Sequence, residues 1–210
     1  MSEITEKNLD FLRKMALDRG AVDATIIRTD KIVIENRIVF KCRVGCTNYG
    51  KTLSCPPHTP TAEEFKKIVN EYNYALFMKF ESKAQADPEL AKNLSKPISD
   101  LSISEEMRNN VKKFWDLWNE DKLKHLSIVL ELEKFAMRKG YSLATGLVAG
   151  YCQLCEKCTL DRVTCPHPTR SRISEEAVGV NVEATAKNAG MVFTFPFKTN
   201  PESFALLLII

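Results

Sequence analysis

Four cysteines fall within the seventeen residues CQLCEKCTLDRVTCPHP, positions 152–168. Cys152, Cys155, Cys158 and Cys165 follow the spacing C-x2-C-x2-C-x6-C. A thiolate is a soft, anionic ligand, suited to inorganic iron–sulfur cores and to zinc. Two-residue gaps let successive sulfurs turn toward one small centre. The flanking Gln153, Glu156 and Lys157 are polar, which argues against buried, unligated thiols.

Three cysteines in succession at this gap match the bacterial ferredoxin run C-x2-C-x2-C-x3-C-P. Pro166 follows Cys165 as in that run, although the last gap is six residues. The expected cofactor is a 4Fe–4S cluster. Structural zinc is the alternative, but zinc sites more often pair two separated C-x2-C knuckles around one tetrahedral ion.

A second group lies upstream in CRVGCTNYGKTLSCPPHTPT, where Cys42, Cys46 and Cys55 are spaced C-x3-C-x8-C. Gly45, Asn48, Gly50 and Pro56–Pro57 would let a loop wrap closely around a cofactor. Lys41, Arg43 and Lys51 supply positive charge beside an anionic one. A second 4Fe–4S cluster is expected here. The other readings are a Cys3His zinc site using His58 and a half-site completed by the other loop.

Two cubanes present about eight irons, whereas the chain has seven cysteines. Either one iron takes another ligand, with His58 and His167 as candidates, or one is open to a small molecule. The favoured reading of each histidine is a hydrogen-bonding group in its Pro-rich loop, ahead of ligation. In two-cluster ferredoxins the cysteine before proline ligates the other cluster. By that rule Cys165 would complete the first group and leave Cys152, Cys155 and Cys158 with the open iron. The spacing does not choose between these arrangements.

The elements that must position these residues read as a mixed α/β (α+β) chain, a sandwich of sheet and helices with two cysteine-rich, cluster-binding loops. Residues 3–19 are helical in spacing, with Ile4, Leu9, Leu12, Met15 and Ala16 on one face and Gly20 as the stop. AVDATIIRT and KIVIENRIVF, within 21–40, suggest two strands. Thr61 and Glu64 form a capping box opening a helix that runs to about Tyr72. YALFMKF, 74–80, reads as a buried strand. Residues 81–103 read as a polar surface insertion, with Pro88 and Pro97 breaking any long helix. A second box, Ser102 with Glu105, opens a long helix to Lys139, interruptible near 119–121 and stopped at Gly140. YSLATGLVAGY, 141–151, is a strand or tight loop leading to the second cysteines. A helix is expected over 175–189, and MVFTFPF with SFALLLII as a closing hairpin. The whole, 1–210, is expected to be a single iron–sulfur-binding domain. Chain order alone suggests that the two cysteine loops meet at one end of the sheet.

Composition narrows the functional classes. With 44% hydrophobic residues in 210, the chain can bury a good core. A net charge of +3 is too mild to argue for nucleic acid or an anionic membrane. No apolar run reaches bilayer length, and MSEITEKNLDF lacks a signal pattern. A cytosolic setting and reduced cysteines follow as expectations. The odd number of cysteines also counts against a disulfide framework.

The phosphate-cradling motifs G-x-x-x-x-G-K-[ST] and G-x-G-x-x-G are absent. So is the C-x3-C-x2-C spacing of radical enzymes that cleave adenosylmethionine. Cys152 and Cys155 lack the strand–motif–helix setting of a thioredoxin site. Trp115 and Trp118, with Phe114 and Val111, read as helix packing. His125 reads as a surface or boundary residue of the long helix. Arg170 and Arg172 either balance cluster charge or sit in a solvated loop.

CRVGCTNYGKTLSCPPHTPTAEEF and AGYCQLCEKC…CPHPTRSRISEEAVGVNV together resemble a family of uncharacterised, predicted metal-binding proteins found in methanogenic archaea and strictly anaerobic bacteria. The resemblance spans the chain apart from the insertion at about 81–103. It implies metal or iron–sulfur binding through all seven cysteines and an anaerobic, cytosolic setting, and it implies no reaction. Electron transfer to a redox partner protein is the expected function. The alternatives are an enzyme using an under-ligated cluster iron to bind a small substrate or sulfur, and a zinc-stapled interaction module.

Overall fold

The structure is a computed structural model that describes residues 6–96, 100, 102–197 and 199–210. Ile4 and Pro97, both used in the reading above, lie outside the described residues.

Strand β4 (Glu202–Ile209) is the apolar run SFALLLI with one polar residue before it, and it lies inside a four-stranded antiparallel sheet. Its neighbours are β2 (Tyr74–Glu81), in register from Tyr74–Ile209 to Glu81–Glu202, and the short β3 (Thr145–Val148). β1 (Asp23–Arg28) pairs with β2 on the far side, giving the order β1-β2-β4-β3. Successive side chains of a strand point to opposite faces. Leu76, Met78, Phe80, Ala205, Leu207 and Ile209 thus share one apolar layer, and Ala75, Phe77, Phe204, Leu206 and Leu208 share the other. Helices cover both layers, which is why β4 is apolar throughout instead of alternating.

The first layer is closed by α1 (Glu6–Asp18) through Leu9, Leu12 and Ala16, and by α5 (Glu105–Arg138) through Val129, Leu132 and Ala136. The second is closed by α3 (Ala62–Val69), through Phe65 and Val69, and by α6 (Val182–Asn188), through Ala186. The Thr61–Glu64 capping box opens α3 as expected.

Several expectations are corrected. KIVIENRIVF is not a second strand: the chain leaves β1 through a turn of 3₁₀ helix (Thr29–Lys31), buries Ile32, and forms α2 (Asn36–Gly45). Ile34 makes only an isolated bridge to Val180. Burial and neighbours decide the state of β-branched residues, and none of the α2 residues is buried in a sheet layer. MVFTFPF does not pair with β4 in a hairpin, because both edges of β4 are already taken by β2 and β3. α5 is continuous over 34 residues, about 51 Å. Its expected break is held helical by Asp121, which is buried and accepts from Ser82 Oγ (2.8 Å) and Lys83 N (2.7 Å). The cap of α5 is Ser104, whose side chain accepts from Met107 N; the Ser102 N–H is instead turned onto Asp100 Oδ1.

The polar insertion packs more than expected. Asp87 caps α4 (Pro88–Asn93), with Pro88 in the first turn, where its missing N–H costs nothing. Ala84 and Ala86 are buried with Phe114, and Trp115, Trp118 and Phe197 pack against them, so the aromatic stripe is packing, as read. His125 is a boundary residue stacked on Phe80 at 4.3 Å, and burial pushes its pKa down to about 4. The helix expected over 175–189 is split into a 3₁₀ turn (Glu176–Val178) and α6 by Gly179, whose φ is +89°. Among the described residues no helix is long and apolar enough to cross a membrane.

β3 packs tightly on α5 at Gly146, where an added Cβ would run into Val129 and meet Glu133 Oε1 at 3.0 Å. Gly146→Ala is expected to destabilise the fold by about 1–3 kcal/mol, as overpacked cores do. Urea denaturation with an unchanged m-value checks it, and a stability equal to wild type would contradict this packing.

Candidate metal centre

Cys42 lies in the last turn of α2, and Cys46 is its C-cap, its N–H donating to Cys42 O at 3.2 Å. Their four-residue separation places both on one side of the helix end. The first group therefore starts in a helix and only then enters the expected loop. That loop is a run of turns closed by Gly50 N donating to Pro56 O at 2.8 Å. The φ of Gly50 is +71°, a left-handed conformation that glycine adopts without a Cβ penalty. Cys55 is buried, Cys42 half-buried and Cys46 exposed.

β3 delivers the second group. Cys152 N donates to Ser54 Oγ at 2.8 Å, directly beside Cys55. Thr52 Oγ1 lies 2.9 Å from Ser54 Oγ, both buried. The two loops thus meet, next to the end of β3, across one hydroxyl. Further along, Asp161 accepts from Val163 N and Thr164 Oγ1, each at 3.1 Å, and shapes the long gap before Cys165. Arg172 closes the segment: its Nε donates to Glu133 Oε1 at 2.6 Å and its other nitrogens to Glu133, Thr169 and Ser171. Glu133 also accepts from Gly146 N at 2.5 Å. Arg172 is therefore a structural clamp, neither a free counter-charge nor a solvated side chain.

The seven thiols sort into three and four. Burial raises the pKa of Cys155, and Cys152, Cys165 and Cys158 add to the rise. Burial likewise pushes Cys42 up to about 11, with Cys46, Glu176 and Cys55 adding to it. Cys55 is raised by burial, while hydrogen bonds from Thr52 and Ser54 pull the other way. All four thiols of the second group line one cavity of about 450 Å³, with Lys51, Lys157 and His167 on its wall. Cys165 sits with its own loop and not with the first group. His58 is exposed, and His167 is half-buried.

The donor chemistry fits a thiolate-held inorganic group: four soft ligands surround one cavity, and three more stand across a hydrogen-bonded seam. Among the described residues no three Cys, His, Asp or Glu side chains are drawn together tightly enough to grip a single ion. The four sulfurs thus outline a space instead of a point.

Sequence reasoning missed three groups here. Lys122, on α5, holds its ammonium over the Trp118 ring at 4.8 Å and the Tyr151 ring at 5.7 Å. Burial pushes its pKa down to about 8, with Glu176 opposing. It shares a small cavity of about 20 Å³, room for a single water, with Cys152 and Arg172. Glu175 is fully buried with neither carboxyl oxygen hydrogen-bonded; burial, then Glu176, raises its pKa well above the usual carboxylate range. Glu176 is half-buried near Cys42 and Cys55. The one sequence signal is the pair Glu175–Glu176 between Ser174 and the apolar Ala177–Val178, at the start of the span expected to be helical.

Two predictions follow from this geometry. Ser54→Ala leaves the Cys152 N–H without its partner and is expected to cost about 1–3 kcal/mol, measured by thermal unfolding. The second concerns protons. Metal ligation needs thiolates, and a thiol raised to about 11, as at Cys42, holds its proton at neutral pH. Apparent affinity for cobalt(II), read from its thiolate absorption, should rise with pH through the neutral range by up to about tenfold per unit for each thiol engaged. A pH-independent affinity would contradict thiol ligation.

A family model described as a predicted metal-binding protein (DUF2284) matches residues 25–209. Neither a curated protein nor a solved structure matches the chain. The matched residues run from within β1 to the end of β4 and take in both cysteine groups, and the chain belongs to this family of predicted metal-binding proteins.

Proposed function

We propose that this protein holds two iron–sulfur clusters, one on Cys152, Cys155, Cys158 and Cys165 and one on Cys42, Cys46 and Cys55, and passes electrons to a redox partner in the cytosol of an anaerobe. The observation that carries this reading is the arrangement of the four second-group thiols around a single cavity, joined to the three others through Ser54. A cluster supplies reversible one-electron chemistry when bound. The chain's own residues set its surroundings. Lys122 keeps a half-buried cation beside the Cys152 segment, which favours an anionic inclusion. Hydrogen bonds to Cys55 from Thr52 and Ser54 stabilise charge on that sulfur. The aromatic faces of Trp118 and Tyr151 flank the cation.

A second reading has a specific observation behind it. Cys46 is exposed and the first group has only three thiols, so a metal held there has a solvent-facing side where a small substrate or sulfur species can bind.

Anaerobic purification with iron, sulfide and zinc analysis tests the main reading. About eight irons, an absorption band at about 400 nm and reversible one-electron reduction by EPR are expected. Cys155→Ser is expected to remove about half of the iron and leave the remaining signal intact. A colourless, zinc-loaded protein sinks the electron-transfer proposal and leaves a zinc-stapled interaction module.

A further inference from the structure

Lys51 stands between Cys46 and Cys55, and sequence order alone puts its charge beside a cofactor on the first group. The structure puts it at the other centre. The cavity of about 450 Å³ that collects Cys152, Cys155, Cys158 and Cys165 also takes Asn48, Gly50, Lys51, Thr52 and Leu53 into its wall, and none of the three first-group cysteines lines it. The first loop is held there on both sides of Lys51. Before it, the turn is closed by Lys51 N donating to Asn48 O at 3.1 Å and Gly50 N donating to Pro56 O at 2.8 Å. After it, Thr52, Leu53 and Ser54 are buried. Ser54 accepts the Cys152 N–H on its hydroxyl at 2.8 Å and the Ser174 N–H on its carbonyl at 3.5 Å. The wall that carries Lys51 is thus fastened to the first cysteine of the second group.

The ammonium and carboxylate groups on that wall belong to Lys51, Glu156 and Lys157. Glu156 and Lys157, neighbours in the second loop, offset each other in formal charge. What is left over is the charge of Lys51. Among the described residues Lys51 is engaged in no salt bridge. Lys122 and Arg172 line the separate small cavity at Cys152, and Arg172 is paired with Glu133. Four thiolates around a metal ion or a cluster leave a net negative charge, which a cation on the wall stabilises. An electron taken up by a cluster adds one more negative charge, so the same cation favours the reduced form. We propose that Lys51, a residue of the first loop, sets the charge of the four-thiol centre, strengthening its hold on metal and raising its reduction potential. The inference rests on the reading that these four thiols hold a metal, and it names the residue through which one cysteine loop regulates the other loop's centre.

The test uses the full chain, handled anaerobically, as wild type, Lys51→Arg, Lys51→Met and Lys51→Glu. Lys134→Glu, on an exposed position of α5, makes the same change in net charge away from the cavity. Cobalt(II) is first titrated into each chain with Cys42 and Cys46 replaced by Ser, so that the thiolate absorption reports the second group. Affinity is expected to fall about two- to fivefold in Lys51→Met and further in Lys51→Glu, and to hold in Lys51→Arg and Lys134→Glu. The loss should shrink in high salt. Chains with all seven cysteines are then reconstituted with iron and sulfide, and EPR follows a redox titration. The potential of the second centre is expected to fall in the order wild type, Lys51→Met, Lys51→Glu, with the first group's signal moving less. Equal affinities and potentials across the Lys51 series overturn the inference, as does a shift confined to the first group's signal. Equal losses in the Arg, Met and Glu variants mean a damaged loop and overturn it too. A chain that takes up no iron ends the electron-transfer reading, while the cobalt(II) series still decides the role of Lys51. A chain whose second group takes up neither metal sinks both.

Discussion

Seven of the eight side chains of β4 are buried, alternately under two helical layers. A strand covered on both faces and paired on both edges has no polar surface to offer. The chemistry of this protein is therefore forced to the periphery of the sheet. β3, the short outer strand, hands the chain to the second cysteine segment. The Glu133–Arg172 clamp and the contact of Gly146 with α5 fix where that strand sits. Ser54 then ties the two cysteine segments together, using a buried hydroxyl as the hinge pin between them.

Two ionisable groups around that joint are perturbed by burial. A lysine is held against two aromatic faces with its proton affinity lowered by burial. A carboxyl group is wholly enclosed and retains its proton well above the usual range, again because of burial. Such groups cost stability unless something in the site rewards them. Burial works on the two in the same sense: it lowers the proton affinity of the lysine and raises that of the acid, each toward its uncharged form.

What could be read from the residues, and what could not, follows from the range of the forces involved. The Thr61–Glu64 box, the β4 run and the Gly140 stop are local signals, and each held. The cysteine spacing identified the groups, but the three-and-four division depends on contacts made across the fold. KIVIENRIVF reads as a strand from its β-branched residues and partial alternation, yet β1 pairs only with β2, and residues 36–40 fall in α2, where none of them is buried in a sheet layer. MVFTFPF fails for a different reason, its intended partner being saturated. The interruption expected near 119–121 does not occur, because Asp121 is held by Ser82 and Lys83, nearly forty residues away in the chain. Gly179 is a single residue in a helix-like pattern, and only the closeness of Ala62 and Glu35 explains it.

α2 has a further bearing on how the molecule lives in its surroundings. None of its residues is buried, and Phe40 and Val44 stand 62% and 65% exposed. The main packing of α2 is on the 3₁₀ turn at Glu176–Val178 and on α3, not on the sheet itself. A disturbance at Cys42 or Cys46 is therefore met first by those contacts, and reaches the sheet only through them.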